Sequence, residues 1–158
     1  MRYVDLNATV GEITGVLSPA PYLRRLPELA AELPMGARAF ATDPEHYDFY
    51  GKRCVKDLKF LDIRDTDTGV ELRLRHNCWK HDEDLTIRYT APTDRVVTLD
   101  SPGRTGFHEL ILDEILPHPD GCTHELVFHT GTIVVTCTDL AADWTAADCP
   151  DLAQRQDH

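Results

Sequence analysis

The sequence predicts an α+β domain: mostly an antiparallel β-meander of about seven strands, with a short helical N-terminal region packed on one face. Three observations predict it. Apolar residues alternate with period two from Cys54 onward, turn-forming residues punctuate that alternation, and five prolines crowd the first fifty residues around an apolar series at helical spacing.

In the N-terminal zone, Tyr22, Leu26, Leu29 and Leu33 recur at helical spacing, with Ser18 and Pro19 as a cap and first helical position. Pro27 either splits the series into two short helices or opens the second, since proline is tolerated in a first turn. From Cys54 the period changes. Val70, Leu72 and Leu74 alternate with Glu71, Arg73 and Arg75, and Leu85, Ile87 and Tyr89 alternate with Thr86, Arg88 and Thr90. Half-buried antiparallel strands read this way. Leu58, Phe60 and Ile63 suggest a preceding strand with a phase slip near Leu61. Residues 95–99 form a short strand and 107–116 a longer one. Gly, Pro, Asp or Thr in residues 65–69, 92–94, 101–106 and 117–121 supplies the turns between them. A final hairpin sets Leu126 and Phe128 against Ile133, Val135 and Cys137 across Thr130-Gly131. Residues 140–149 read as a short helix around Trp144, and 151–158 as a frayed tail. The expected organisation is a single domain over residues 1–150, divided into a proline-rich, partly helical part (1–53) and the sheet (54–140).

Length and composition narrow the function classes. A chain of 158 residues with 42% apolar content has a core of its own, so its 27% charged fraction does not mark a disordered chain. Its 27 acidic against 16 basic residues give a formal charge of −11, a surface that repels phosphate backbones. No nucleic-acid partner is expected. Met1 to Thr14 carries Asp5 and Glu12 and lacks a signal-peptide pattern, and no apolar run reaches the roughly 18 residues of a membrane span. The expected location is the cytoplasm, with no membrane partner. Five cysteines, Cys54, Cys78, Cys122, Cys137 and Cys149, are odd in number and irregularly spaced; the expectation is reduced thiols and no disulfide.

Ligand-type side chains concentrate in residues 76–84 and 118–124. His76, Cys78, His81 and Asp82 are of the types zinc uses, although their spacing follows no established zinc signature. In a meander, successive turns alternate between the ends of the sheet. That places the 77–84 loop with Thr130-Gly131 and away from the 117–121 turn. The candidate metal set is therefore His76, Cys78, His81 and His129, with zinc as the metal. No cofactor is expected on the alternative reading, in which Trp79, Asp82, Glu83 and Asp84 form a partner-binding rim. Cys122 and Cys137 read as small buried apolar residues on strands. A Cys122 thiolate paired with His124 would need an exposed thiol of depressed pKa. Paired carboxylates at Asp113-Glu114 and Asp82-Glu83-Asp84 recur in any acidic protein, and the sequence holds no phosphate loop, nucleophile elbow or His-Glu-x-x-His helix. No catalytic residue is assigned, and a conventional enzyme is unsupported.

Lys56-Asp57-Leu58 with the apolar strand to Ile63, Leu85-Thr86-Ile87-Arg88-Tyr89 before a turn, and the closing hairpin from His124 to Cys137 together resemble small immunity-protein-like domains of bacterial polymorphic toxin systems and β-rich bacterial domains near them. The resemblance covers residues 55–137. It departs from the family where a His-Asp pair commonly opens the first strand, since Lys56 stands at the first position here. The resemblance implies a non-catalytic protein that binds one cognate protein partner, a basic surface met by acidic charge. The oligomeric state has no signature in the sequence.

Overall fold

The computed structural model describes residues 1–100 and 107–149, and the fold is mostly β. Among the described residues, ten strands and two short helices follow in the order β1 (Asp5–Val10), β2 (Ile13–Ser18), α1 (Ala20–Ala30), α2 (Met35–Ala41), β3 (Lys59–Thr66), β4 (Gly69–Arg75), β5 (Glu83–Thr90), β6 (Asp94–Leu99), β7 (Leu110–His118), β8 (Gly121–Phe128), β9 (Gly131–Cys137) and β10 (Asp139–Ala146). All pairings between these strands are antiparallel. β1 and β2 form a hairpin, β10-β5-β4-β3 a first four-stranded sheet, and β6-β9-β8-β7 a second.

This corrects the α+β expectation of a seven-stranded meander with helices on one face. A meander pairs only sequence neighbours, whereas β6 pairs with β9 and β10 returns to β5. The chain crosses between sheets after β5 and again after β9. The two crossings are hydrogen-bonded side by side, from Thr138 N to Thr90 O at 3.0 Å and from Thr93 N to Thr136 O at 2.8 Å. At the other side, β3 meets β7 through a bridge of Lys59 with Glu109 and bonds linking residues 57–60 to 108–110. The helices also differ from expectation. α1 touches β7 of the second sheet and α2 touches β10 of the first, so together they span both sheets.

Alternation fixes which side chains face the core. Val70, Leu72 and Leu74 on β4, Leu85, Ile87 and Tyr89 on β5, and Cys122, His124, Leu126 and Phe128 on β8 are all buried. They join Ile133, Val135, Cys137 and Leu140 in one interior, where Phe60, Phe107 and Phe128 pack ring against ring. The phase slip near Leu61 is a register shift between Phe60 and Asp62 that turns Leu61 outward.

Residues 140–149 are not a helix. Asp139 through Ala146 pair with β5 along their whole length, from Asp139 opposite Thr90 to Ala146 opposite Glu83. α1 is likewise continuous through Pro27. It is anchored by the buried Tyr22 and Leu26, both ahead of Pro27, and the Tyr22 hydroxyl donates to Ile115 O at 2.6 Å. Pro34 precedes α2, where the Asp139 carboxylate accepts from Gly36 N and Ala37 N at 3.1 and 2.9 Å and so satisfies the opening amides of the helix. Gly36 is required there: a Cβ would lie 2.0 Å from Leu140 O. The turn expected at 101–106 and the tail at 151–158 lie outside the described residues.

Candidate functional site

The segment between β4 and β5 is built on His81. Its ring is fully buried, its Nδ1 accepts from Asn77 N at 3.0 Å, and its Nε2 donates to Cys54 O at 2.8 Å. One imidazole thus pins its own turn and ties it to the segment after α2. Burial pushes the His81 pKa down, and the neighbouring Lys80 charge adds to the effect. Both nitrogens are committed, so His81 is no metal ligand. His129, the other predicted ligand, also falls outside the cluster that the structure brings together. It is exposed in the turn between β8 and β9, with its backbone N–H donating to Glu109 O.

The structure brings together His76, Cys78 and, instead of those two, Cys149. A ring nitrogen of His76 and both sulfurs lie within 4.8 Å of one another. Cys78 and Cys149 are joined as a disulfide across 71 residues, which corrects the expectation of reduced thiols throughout. Pairing Ala147 N with Asp82 O carries residues 147–149 over the loop, an approach that depends on β10 being a strand beside β5. Asp84 receives both His76 N at 2.8 Å and His76 Nδ1 at 2.6 Å, fixing the ring.

The rim residues are placed at the same end. Trp79 is 61% exposed, and Tyr50, on the facing loop, is 98% exposed. The acidic residues are not bare. Lys52 bonds Asp82 at 2.5 Å, Arg53 grips Glu83 through two bonds of 2.7 and 3.0 Å, and Asp84 holds His76. Lys56 and Lys80 share the Asp57 carboxylate, and the Lys80 ammonium lies 5.7 Å from the centre of the Trp79 ring. The result is a charge-compensated face carrying two exposed aromatics.

A second polar constellation lies in the core. Asp113 on β7 is bonded by His46 Nε2 at 2.8 and 2.9 Å and by His124 Nε2 at 2.7 Å, while the Tyr89 hydroxyl meets His124 Nδ1 at 2.7 Å. Sequence reasoning paired Asp113 with Glu114 and His124 with Cys122. It missed His46, 67 residues from Asp113, because only the fold joins them. Asp113 and Glu114 in fact point oppositely. Glu114 lies on the other face, where its carboxylate accepts from the backbone N–H groups of Arg2, Tyr3 and Val4 at 2.7 Å each. Burial raises the Asp113 carboxyl pKa, but the His46 charge and the bonds from both histidines outweigh it and hold the group well below the usual carboxylate range. Cys122 and Cys137 face each other across β8 and β9 with sulfurs 3.7 Å apart, fully buried.

Open clefts of about 320 Å³ and about 390 Å³ lie between α2 and β10 and beside α1. Among the described residues, no helix is long and apolar enough to cross a membrane. Comparison with known proteins returns no match: no family model, curated protein or solved structure is similar to the chain.

Proposed function

We propose that this chain is a non-catalytic protein-binding module whose partner face is the pair of loops 49–53 and 76–84, with Trp79 as the anchor. The observation that carries the reading is the exposed Trp79 on a turn locked from beneath by the buried His81. Tryptophan and tyrosine are the residues that dominate binding energy at interface centres, and a turn already fixed loses little conformational freedom on docking. Tyr50 supplies a second aromatic, and the Lys52, Arg53 and Lys80 partners of the acidic residues leave the face charge-compensated. A basic partner would compete with Lys52 and Arg53 for Asp82 and Glu83, making its association salt-dependent.

A non-catalytic role is supported by the state of the acid–base groups. His46, Asp113, His124 and Tyr89 have the composition of a proton relay, yet each is at most 1% exposed and bonded within the network. Within the binding class, an immunity-type protein with one cognate partner is the reading that the resemblance across residues 55–137 supports.

A photo-crosslinking side chain placed at position 79 tests this in cells of the source organism, with position 13 at the exposed tip of the β1–β2 hairpin as control. One dominant protein adduct from position 79, absent from position 13, is expected. With that protein purified, Trp79→Ala should weaken binding by about 2 kcal/mol, roughly thirtyfold. Equal adducts from both positions, or none from position 79, would exclude this face as the partner site.

A further inference from the structure

We infer that His76, Cys78 and Cys149 form a redox-gated zinc site: closed as a disulfide when oxidised, and a two-sulfur, one-nitrogen ligand set when reduced. Three ligand atoms already lie within 4.8 Å of one another in a pocket where His76 and Cys149 are each 6% exposed. Two thiolates and an imidazole are a recognised zinc set that leaves a fourth position open to water or a further ligand.

The orientation of His76 separates this trio from a chance cluster. Its Nδ1–H donates to Asp84, which leaves Nε2 as the ring nitrogen not engaged by that carboxylate. A carboxylate behind a histidine in this manner is the usual outer support of a metal-bound imidazole. Asp84 in turn sits on β5 and also accepts from His76 N, so strand pairing fixes the support itself. Cys54, Cys122 and Cys137 are buried elsewhere and do not enter the group.

The chemistry balances with a phosphine and water as reductant. The sulfur–sulfur bond accepts two electrons and two protons to give two thiols, and phosphorus takes the oxygen of water as the phosphine oxide. Zn²⁺ then displaces both thiol protons to solvent and binds two thiolates and neutral His76, a set whose charges sum to zero. The sulfurs must separate to about 3.7 Å, the edge of a tetrahedron with zinc–sulfur bonds of about 2.3 Å. Cys149 lies beyond the end of β10, so this displacement breaks no strand pairing.

The test compares the untagged full chain in its oxidised form, with three free thiols, and its reduced form, with five. Each is dialysed against zinc and measured by elemental mass spectrometry, and each is titrated with Co²⁺ to read the thiolate-to-cobalt charge-transfer band. One metal per reduced chain and none per oxidised chain is expected. His76→Ala and Cys149→Ser should abolish uptake, and Asp84→Asn should weaken it about 10- to 100-fold. The oxidised–reduced comparison needs no substitution, so a variant that fails to fold does not blunt it. Equal zinc in both forms, or uptake by reduced protein that survives His76→Ala, would overturn the inference. Neither outcome bears on the crosslinking test of the partner face.

Discussion

The least expected residue is His46. Its Nδ1 lies 2.9 Å from Phe40 O and its Nε2 faces the Asp113 carboxylate, so acceptors stand at both nitrogens and the ring must donate at both. The Asp113 carboxylate is thus a buried acceptor held by His46 and, as a second donor, His124. Removing one partner strands the others. Asp113→Asn should therefore cost about 3–5 kcal/mol in urea unfolding. The depressed Asp113 pKa also sets a pH window. The unfolded carboxyl protonates near pH 3.9 and the folded one only well below, so this contribution is complete above about pH 4 and is lost as pH falls further. His81 acts in a milder range. Its folded pKa lies below the ordinary value, so the unfolded chain takes up a proton first and stability falls as pH drops below about 6.5. Urea midpoints taken between about pH 7.5 and pH 5 should show that slope, and His81→Gln should flatten it.

At the scale of elements, the legible strands are those with one face in the core and the other in water. β4 and β5 obey this, and their buried residues are the ones period-two reading selects. β10 carries the same alternation in Leu140, Ala142 and Trp144, but its alanines favour a helix, and only the partner strand β5 decides the matter. The β1–β2 hairpin escaped for the opposite reason: most of its residues are exposed, so burial imposes no pattern. The same failures explain the site. His76 and Cys78 are sequence neighbours and were readable together, whereas Cys149 reaches them only because β10 lies beside β5. Gly36 offers an element-level test of that packing. Its close approach to Leu140 O joins α2 to β10, and Gly36→Ala should lower stability by about 1–3 kcal/mol through overpacking, read from thermal unfolding.

Across the whole molecule, the chain holds together by linking two sheets that sequence neighbours do not join: paired crossings on one side, the β3–β7 bridge on the other, and helices reaching from β7 to β10. The Cys78–Cys149 bond adds a covalent tie from the loop bearing Trp79 to the segment after the edge strand β10. It encloses β5 through β10, six of the ten strands, so its effect falls on the unfolded chain as a whole. For a loop spanning 71 residues, the entropy lost by the unfolded state corresponds to about 4 kcal/mol of stabilisation. Reduction should therefore lower the melting temperature by about 10 °C, while Cys54, Cys122 and Cys137, buried in the fold, contribute no such change. Zinc added to the reduced protein should recover part of that loss, because a metal bridging His76, Cys78 and Cys149 restrains the same ends. Calorimetry of the oxidised, reduced and zinc-loaded forms separates the two effects. A drop on reduction that zinc does not reverse assigns the pair to stability alone, and full insensitivity to reduction would overturn the loop-entropy account.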